Sequence, residues 1–84
     1  MSEVTIYTSR ICPYCMRALQ LLKQKGATIH EISVDGDRDA RNRMMAKSRR
    51  HTVPQIWIGE QHVGGCDDLM MLDRQGELDG LLAG

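Results

Sequence analysis

The sequence predicts an α/β domain in which a four-stranded mixed β-sheet carries helices on both of its faces. Its 84 residues leave room for one hydrophobic core, so we expect a single domain over residues 1–84. The composition, 42% hydrophobic and 26% charged, is typical of a folded chain. Segments with the two-residue period of strands alternate with segments of helical period, which gives the order β-α-β-α-β-β-α.

A strand, a helix and a second strand account for the first part of the chain. Residues 3–8 alternate apolar and polar side chains, as a strand does. Pro13 suits the first turn of a helix, and Gly26 suits its end. The inner face of this helix carries Cys15, Ala18, Leu19 and Leu22. Residues 29–34 follow as the second strand, and the helical crossover predicts that the two strands are parallel.

The middle of the chain predicts a second helix. Asp37 is a good N-cap residue, and the helix is expected to run to about Ser48. Ala40 and Met44 lie on its inner side.

A hairpin and a third helix complete the chain. Residues 55–58 and 61–64 are predicted as strands that join at a turn at residues 59–60. Residues 67–75 form the third helix, which Gly76 ends. A short terminal helix is expected to attach to the core through Leu78, Leu81 and Leu82.

The formal net charge is zero, which removes the bulk attraction to nucleic acids or anionic membranes that a basic domain would have. No apolar run approaches the roughly 20 residues of a membrane helix. The first ten residues lack the features of a secretory signal, so we expect a cytoplasmic protein that binds neither nucleic acids nor membranes.

The charges are nevertheless segregated along the chain. Residues 38–50 carry an excess of +5, and residues 60–84 carry an excess of −5. Two interpretations are open: each segment is a solvated helix face, or one end of the molecule attracts anions.

A Cys-x-x-Cys motif, Cys12-Pro13-Tyr14-Cys15, stands where the first strand meets the first helix. If Pro13 is the first helical residue, Cys12 is the N-cap, and the free N–H groups of the helix point at its sulfur. This environment favours the thiolate, which is the attacking species in disulfide exchange. Cys15 lies one turn further, on the inward face. We therefore expect Cys12 to be the nucleophile and Cys15 the resolving thiol.

Two other interpretations of the cysteine pair remain open. The pair could be half of a zinc site, for which the further ligands would come from Cys66, His30, His51 and His62. It could also be two inert packed cysteines. The position of the motif inside a βαβ pattern favours the redox pair, so we expect no metal.

Four stretches of the chain carry a resemblance to a known family: Val4-Thr5-Ile6-Tyr7-Thr8, Cys12-Pro13-Tyr14-Cys15, Thr52-Val53-Pro54-Gln55-Ile56 and Gly64-Gly65-Cys66-Asp67-Asp68. In this order they resemble the glutaredoxin family, in its small bacterial dithiol form. The resemblance implies a thioredoxin-like fold and no tightly bound cofactor. Glutathione is the implied co-substrate.

The resemblance also implies a glutathione site. A cis peptide bond before Pro54 would face the cysteines, and the backbone of Val53, after Thr52, would pair with the bound tripeptide. The N–H groups of Cys66 and Asp67, after Gly65, would bind the γ-glutamyl carboxylate. The Asp67 carboxylate would bind the ammonium group, and Tyr14 would flank the peptide. The alternatives are a trans proline at a strand edge, helix capping by Asp67 and Asp68, and a solvent-facing Tyr14. Cys66 would contribute its backbone, and we expect its side chain to be packed rather than to act as a third catalytic thiol.

One position departs from the family pattern. Many glutaredoxins have a lysine three residues before the nucleophile, where it helps to bind the glycine carboxylate of glutathione. Here that residue is Ser9. Arg10 and Arg50 are the available substitutes, and we assign most of the role to Arg50.

The implied function is glutathione-dependent reduction of protein disulfides and of glutathionylated proteins, with a Cys12–Cys15 disulfide as the oxidised form. Ribonucleotide reductase is a client of the kind that the family suggests, and we expect a monomer. The rival function is an iron–sulfur carrier, in which two chains and two glutathiones ligate a cluster. Pro13, Tyr14 and the second thiol favour exchange chemistry.

Overall fold

The computed structural model describes residues 2–84, which form four strands and four helices. In chain order these are β1 (Val4–Thr8), α1 (Pro13–Gln24), β2 (Ile29–Ser33), α2 (Arg38–Ser48), β3 (Gln55–Ile58), β4 (Gln61–Gly64), α3 (Cys66–Arg74) and α4 (Leu78–Ala83).

The predicted order of elements is confirmed, and α4 is the expected terminal helix. Both hairpin strands have the predicted bounds, and α1 begins at Pro13 as predicted. The first two strands are each one residue shorter than predicted. The predicted third helix, residues 67–75, is wrong by one residue at each end. Gly65 has an extended backbone and serves as the N-cap, so the helix begins at Cys66, and it ends at Arg74 with Gln75 as its C-cap.

The sheet has the strand order β2-β1-β3-β4. β1 is parallel to β2, as the crossover predicted, and antiparallel to β3, which is in turn antiparallel to β4. Tyr7 near the end of β1 is paired with Gln55 at the start of β3, and Ile56 is paired with Gly64 at the end of β4. The segments that follow β1, precede β3 and follow β4 therefore meet at one edge of the sheet.

Helices cover both faces of the sheet, as predicted. On one face the buried Val4 and Ile6 of β1 pack with side chains of α1, α3 and α4, among them Leu22, Leu69 and Leu78. The other face is covered by α2, where a second cluster consists of Tyr7, Val34, Ala40, Met44 and Trp57. Strands buried on both faces explain why β3 reads as an almost uninterrupted apolar run.

The ends of the first two helices also follow the sequence. The Asp37 carboxylate accepts a hydrogen bond of 3.0 Å from the Ala40 N–H, which makes it the N-cap of α2. Gly26 follows α1 with a φ of +73°, a conformation that glycine adopts without strain. Among the helices of residues 2–84, none has the length and apolar character required to cross a lipid bilayer.

Candidate active site

Cys12 is the N-cap residue of α1, as the sequence predicted. Its backbone is extended, Pro13 is the first helical residue, and the Cys15 N–H donates a hydrogen bond of 3.1 Å to the Cys12 Sγ. The Met16 N–H donates to the Cys12 carbonyl at 3.1 Å and closes the first turn. The sulfur thus occupies the position of a capping oxygen, where a negative charge is stabilised by the N–H groups of the helix.

The loop that leads into Cys12 is held by a carboxylate from the end of the neighbouring strand. Asp35 accepts hydrogen bonds from the Ser9 hydroxyl at 2.7 Å and from the Arg10 N–H at 2.6 Å. The bond from Ser9, followed by that from Arg10, lowers the pKa of Asp35. Ser9 therefore anchors the loop in this chain, at the position where the resemblance would place a lysine.

Cys15 is more deeply buried than Cys12. The structure describes both as free thiols, with 1% of Cys15 and 9% of Cys12 exposed. Burial, together with a hydrogen bond to the Cys12 sulfur, raises the pKa of Cys15 to about 12. At neutral pH Cys15 is therefore a protonated thiol.

The third cysteine, Cys66, is the first residue of α3 and is buried in the larger hydrophobic cluster. Burial raises its pKa, so it too is protonated at neutral pH. The side chain is packed, as the sequence interpretation allowed, while the residue also lines a cavity.

That cavity, of about 220 Å³, opens beside Cys12. The Cys12 Sγ lies 3.8 Å from the carbonyl oxygen of Val53, and the Val53–Pro54 peptide bond is cis, as the resemblance implied. The lining residues are Tyr14, Arg50, Thr52, Val53, Pro54, Gln55, Gly65, Cys66, Asp67 and Asp68. The structure therefore brings all eight predicted glutathione contacts together in one cavity.

Asp68 belongs to the cavity, whereas the sequence analysis considered it only as a capping residue. Its carboxylate does cap α3, because it accepts from the Gly65 N–H at 2.9 Å, and it also accepts from the Arg50 Nη1 at 3.2 Å. The bond from Gly65, assisted by Arg50, lowers the pKa of Asp68. Arg50, the proposed substitute for the missing lysine, thus lies in the cavity and is paired with Asp68.

Gln55 is the other lining residue that the sequence analysis missed. It is the one polar side chain of an otherwise apolar strand and follows Pro54 directly. A buried amide at such a position needs hydrogen-bonding partners, and this was the available signal.

Two of the three histidines contact side chains other than the cysteines. His30 pairs with Glu3 at 3.2 Å, and the His62 Nε2 lies 2.9 Å from the Gln55 Oε1. Among residues 2–84, no three His, Cys, Asp or Glu side chains are grouped closely enough to hold a metal ion.

The fold and the paired thiols define a thioredoxin-fold protein with a dithiol redox site at the start of its first helix. The glutaredoxin family model matches residues 4–63. A glutaredoxin of Pseudomonas aeruginosa is 55% identical over 83 residues, which cover 99% of each chain. Glutaredoxin 3 of Escherichia coli is 52% identical over 82 residues, 98% of this chain and 99% of the relative.

A solved structure of a buckwheat glutaredoxin–glutathione complex superposes with a TM-score of 0.88 at 30% identity, over 98% of this chain and 77% of that one. The chain belongs to the glutaredoxin family, and it is a thiol–disulfide oxidoreductase.

Alkylation should distinguish the three thiols. With iodoacetamide at about pH 7.5, we expect Cys12 to be modified well before Cys15 and Cys66, whose raised pKa values keep them protonated. Peptide mass mapping over time measures the order. The Cys12→Ser variant is the control and should stay largely unmodified. Equal rates at Cys12 and Cys15 would contradict the assignment of the nucleophile.

The Asp68 arrangement should make Gly64 difficult to replace. Gly64 has a φ of +117°, and a Cβ at this position would collide with the Asp68 carboxylate. Gly36→Ala is the matched control, because Gly36 also has a positive φ but no neighbour within 4 Å. We expect Gly64→Ala to lower the free energy of unfolding by about 1 kcal/mol more than Gly36→Ala in urea titrations, since Asp68 must give up its bonds. Equal losses would show that the collision is harmless.

Proposed function

We propose that the protein reduces glutathione mixed disulfides and protein disulfides, with glutathione as its reductant. One observation carries this proposal: the Cys12 sulfur lies 3.8 Å from the carbonyl oxygen of Val53, which lines a cavity that offers both signs of charge and backbone donors. The printed description of the buckwheat glutaredoxin as a glutathione complex supports the choice of ligand.

The groups of the cavity are complementary to glutathione, a tripeptide with two carboxylates, one ammonium group and one thiol. Within residues 2–84 the Val53 N–H has no hydrogen-bond acceptor, so it is free to pair with the backbone of an extended peptide. The N–H groups of Cys66 and Asp67 open α3 and suit the γ-glutamyl carboxylate. The exposed Asp67 carboxylate suits the ammonium group.

Arg50 is our candidate for the glycine carboxylate. Its guanidinium is half-exposed in the cavity and engages Asp68 through one nitrogen, Nη1, at 3.2 Å. Guanidinium groups have five N–H donors, so a second carboxylate can bind without loss of the first.

With a glutathionylated protein, Cys12 carries out the reaction alone. The Cys12 thiolate attacks the glutathione sulfur, the S–S bond of the substrate breaks, and the client leaves as a thiolate that takes up a proton. A second glutathione thiolate then attacks the glutathione sulfur bound to Cys12. This step releases glutathione disulfide and restores the Cys12 thiolate.

With a protein disulfide, Cys15 resolves the intermediate. Cys12 attacks first, and Cys15 then loses its proton and attacks the Cys12 sulfur, which releases the reduced client and leaves a Cys12–Cys15 disulfide. After burial, the main cause of the raised pKa of Cys15 is its hydrogen bond to the Cys12 sulfur. Once Cys12 is bound in a mixed disulfide, this sulfur is neutral, so Cys15 ionises more readily at the step that requires it. Two glutathiones then reduce the disulfide.

We place this activity in the cytoplasm, in a monomer, with disulfide-containing proteins such as ribonucleotide reductase as clients.

A coupled assay of glutathione-dependent reduction of a glutathionylated peptide, run beside a thioredoxin reductase assay, tests the proposal. If the protein is reduced by thioredoxin reductase and not by glutathione, the proposal is refuted. A visible absorption band in protein purified without air, with elution as a dimer, would instead support a cluster carrier.

Single substitutions should separate the two reactions. In the Cys15→Ser variant we expect deglutathionylation to persist and the reduction of a dithiol substrate to be lost, because only the second reaction needs a resolving thiol. Cys12→Ser should abolish both, and Cys66→Ser is the control that should retain both. Loss of both activities in Cys15→Ser would contradict this division of roles.

The role of Arg50 can be measured through substrate binding. We expect Arg50→Ala to raise KM for a glutathionylated peptide by about threefold to tenfold, the effect of losing one charged contact at a partly exposed site. Arg43→Ala removes an exposed base of α2 that does not line the cavity, and it should leave KM unchanged. An unchanged KM in Arg50→Ala would show that another residue binds the carboxylate.

A further inference from the structure

We propose that Gln55 and His62 are positioning residues, which hold Thr52 and thereby the backbone of residues 52–54 in the geometry that receives the substrate. The inference rests on the proposed function and explains how residues 52–54, which line the cavity, are held in place. Neither side chain touches a reacting sulfur. Both would act through the segment that contains Val53.

Gln55 holds Thr52 through two hydrogen bonds. Only 1% of Gln55 is exposed. Its Nε2 donates to the Thr52 carbonyl oxygen at 3.1 Å and to the Thr52 Oγ1 at 3.3 Å. Because β3 begins at Gln55, residues 52–54 lie outside the sheet and have no ladder bonds of their own. The Gln55 side chain therefore attaches Thr52 to the start of β3, where the sheet provides no backbone hydrogen bonds.

His62 fixes the orientation of the Gln55 amide. The amide NH₂ group faces Thr52, so the amide oxygen faces His62, whose Nε2 lies 2.9 Å away. An oxygen cannot donate, and the geometry therefore requires the His62 Nε2–H to be the donor. The ring itself is held against Trp57, with 4.8 Å between the ring centroids. Trp57 thus packs against His62, His62 orients the Gln55 amide, and Gln55 in turn holds Thr52.

The segment held in this way faces the nucleophile. The Val53 carbonyl oxygen lies 3.8 Å from the Cys12 Sγ, and the Val53 N–H is free to bind a peptide. A shift of Thr52 would move both groups, because Val53 is the next residue. The expected consequence is weaker binding of the substrate backbone, while the cysteines keep their places at the start of α1.

Two variants test the inference. Gln55→Met keeps the length of the side chain and removes both donors, and His62→Phe keeps a ring against Trp57 and removes the donor to Gln55. We expect Gln55→Met to raise KM for a glutathionylated peptide about tenfold, with kcat changed less than twofold, from the loss of a buried hydrogen-bonded contact. His62→Phe should raise KM in the same direction. Since His62 does not line the cavity, its effect must pass through Gln55.

A stability control and a spectroscopic measurement complete the test. Ile58→Val shortens a buried side chain at the far end of β3 and should leave KM unchanged, so a rise in KM with this variant would indicate a general loss of stability. Proton NMR of the wild type should show a protected His62 Nε2 proton that is absent in folded Gln55→Met.

The outcomes separate this inference from the proposed function. If the wild type fails to reduce the glutathionylated peptide, the proposed function is wrong. If the wild type is active but Gln55→Met keeps its KM within twofold, the positioning role is wrong. Absence of the protected His62 proton in the wild type would also overturn the inference, whatever the kinetics.

Discussion

The antiparallel pairing of β3 with both of its neighbours is the constraint on which the site depends. Strands that run in opposite directions bring the end of one beside the start of the next, and here this applies twice, to β1 with β3 and to β3 with β4. Cys12 follows β1, Val53 precedes β3, and Gly65 follows β4. Residues more than 50 positions apart in the chain, such as Tyr14 and Gly65, therefore border one cavity.

The same helix start gives two identical side chains opposite properties. Cys12 stands before the first turn, where its sulfur receives an N–H group and reaches the cavity. Cys15 stands one turn later, where burial keeps its proton in place. In the reaction proposed above, position in the helix rather than residue type makes Cys12 the attacking sulfur and Cys15 the resolving one.

Local signals in the sequence were sufficient for the elements and for the thiols. Asp37 caps the start of α2 and Gly26 follows the end of α1, as predicted. Pro13 is the first residue of α1, so Cys12 is its N-cap, also as predicted. What the sequence could not provide was contact between side chains that are distant in the chain. The pairing of Arg50 with Asp68 depends on the strand register, and so does the contact of Gln55 with His62. A single sequence gives the period of a strand but not the residue that lies opposite.

The burial of Cys66 has a consequence for the fidelity of electron transfer. Three thiols near one cavity could in principle form mismatched bridges, each of which would trap the enzyme in an unproductive isomer. Cys66 is packed in the core at the start of α3 and keeps its proton, so it is a poor competitor in exchange. In the proposed reaction Cys66 therefore serves in packing, and the redox-active disulfide forms between Cys12 and Cys15.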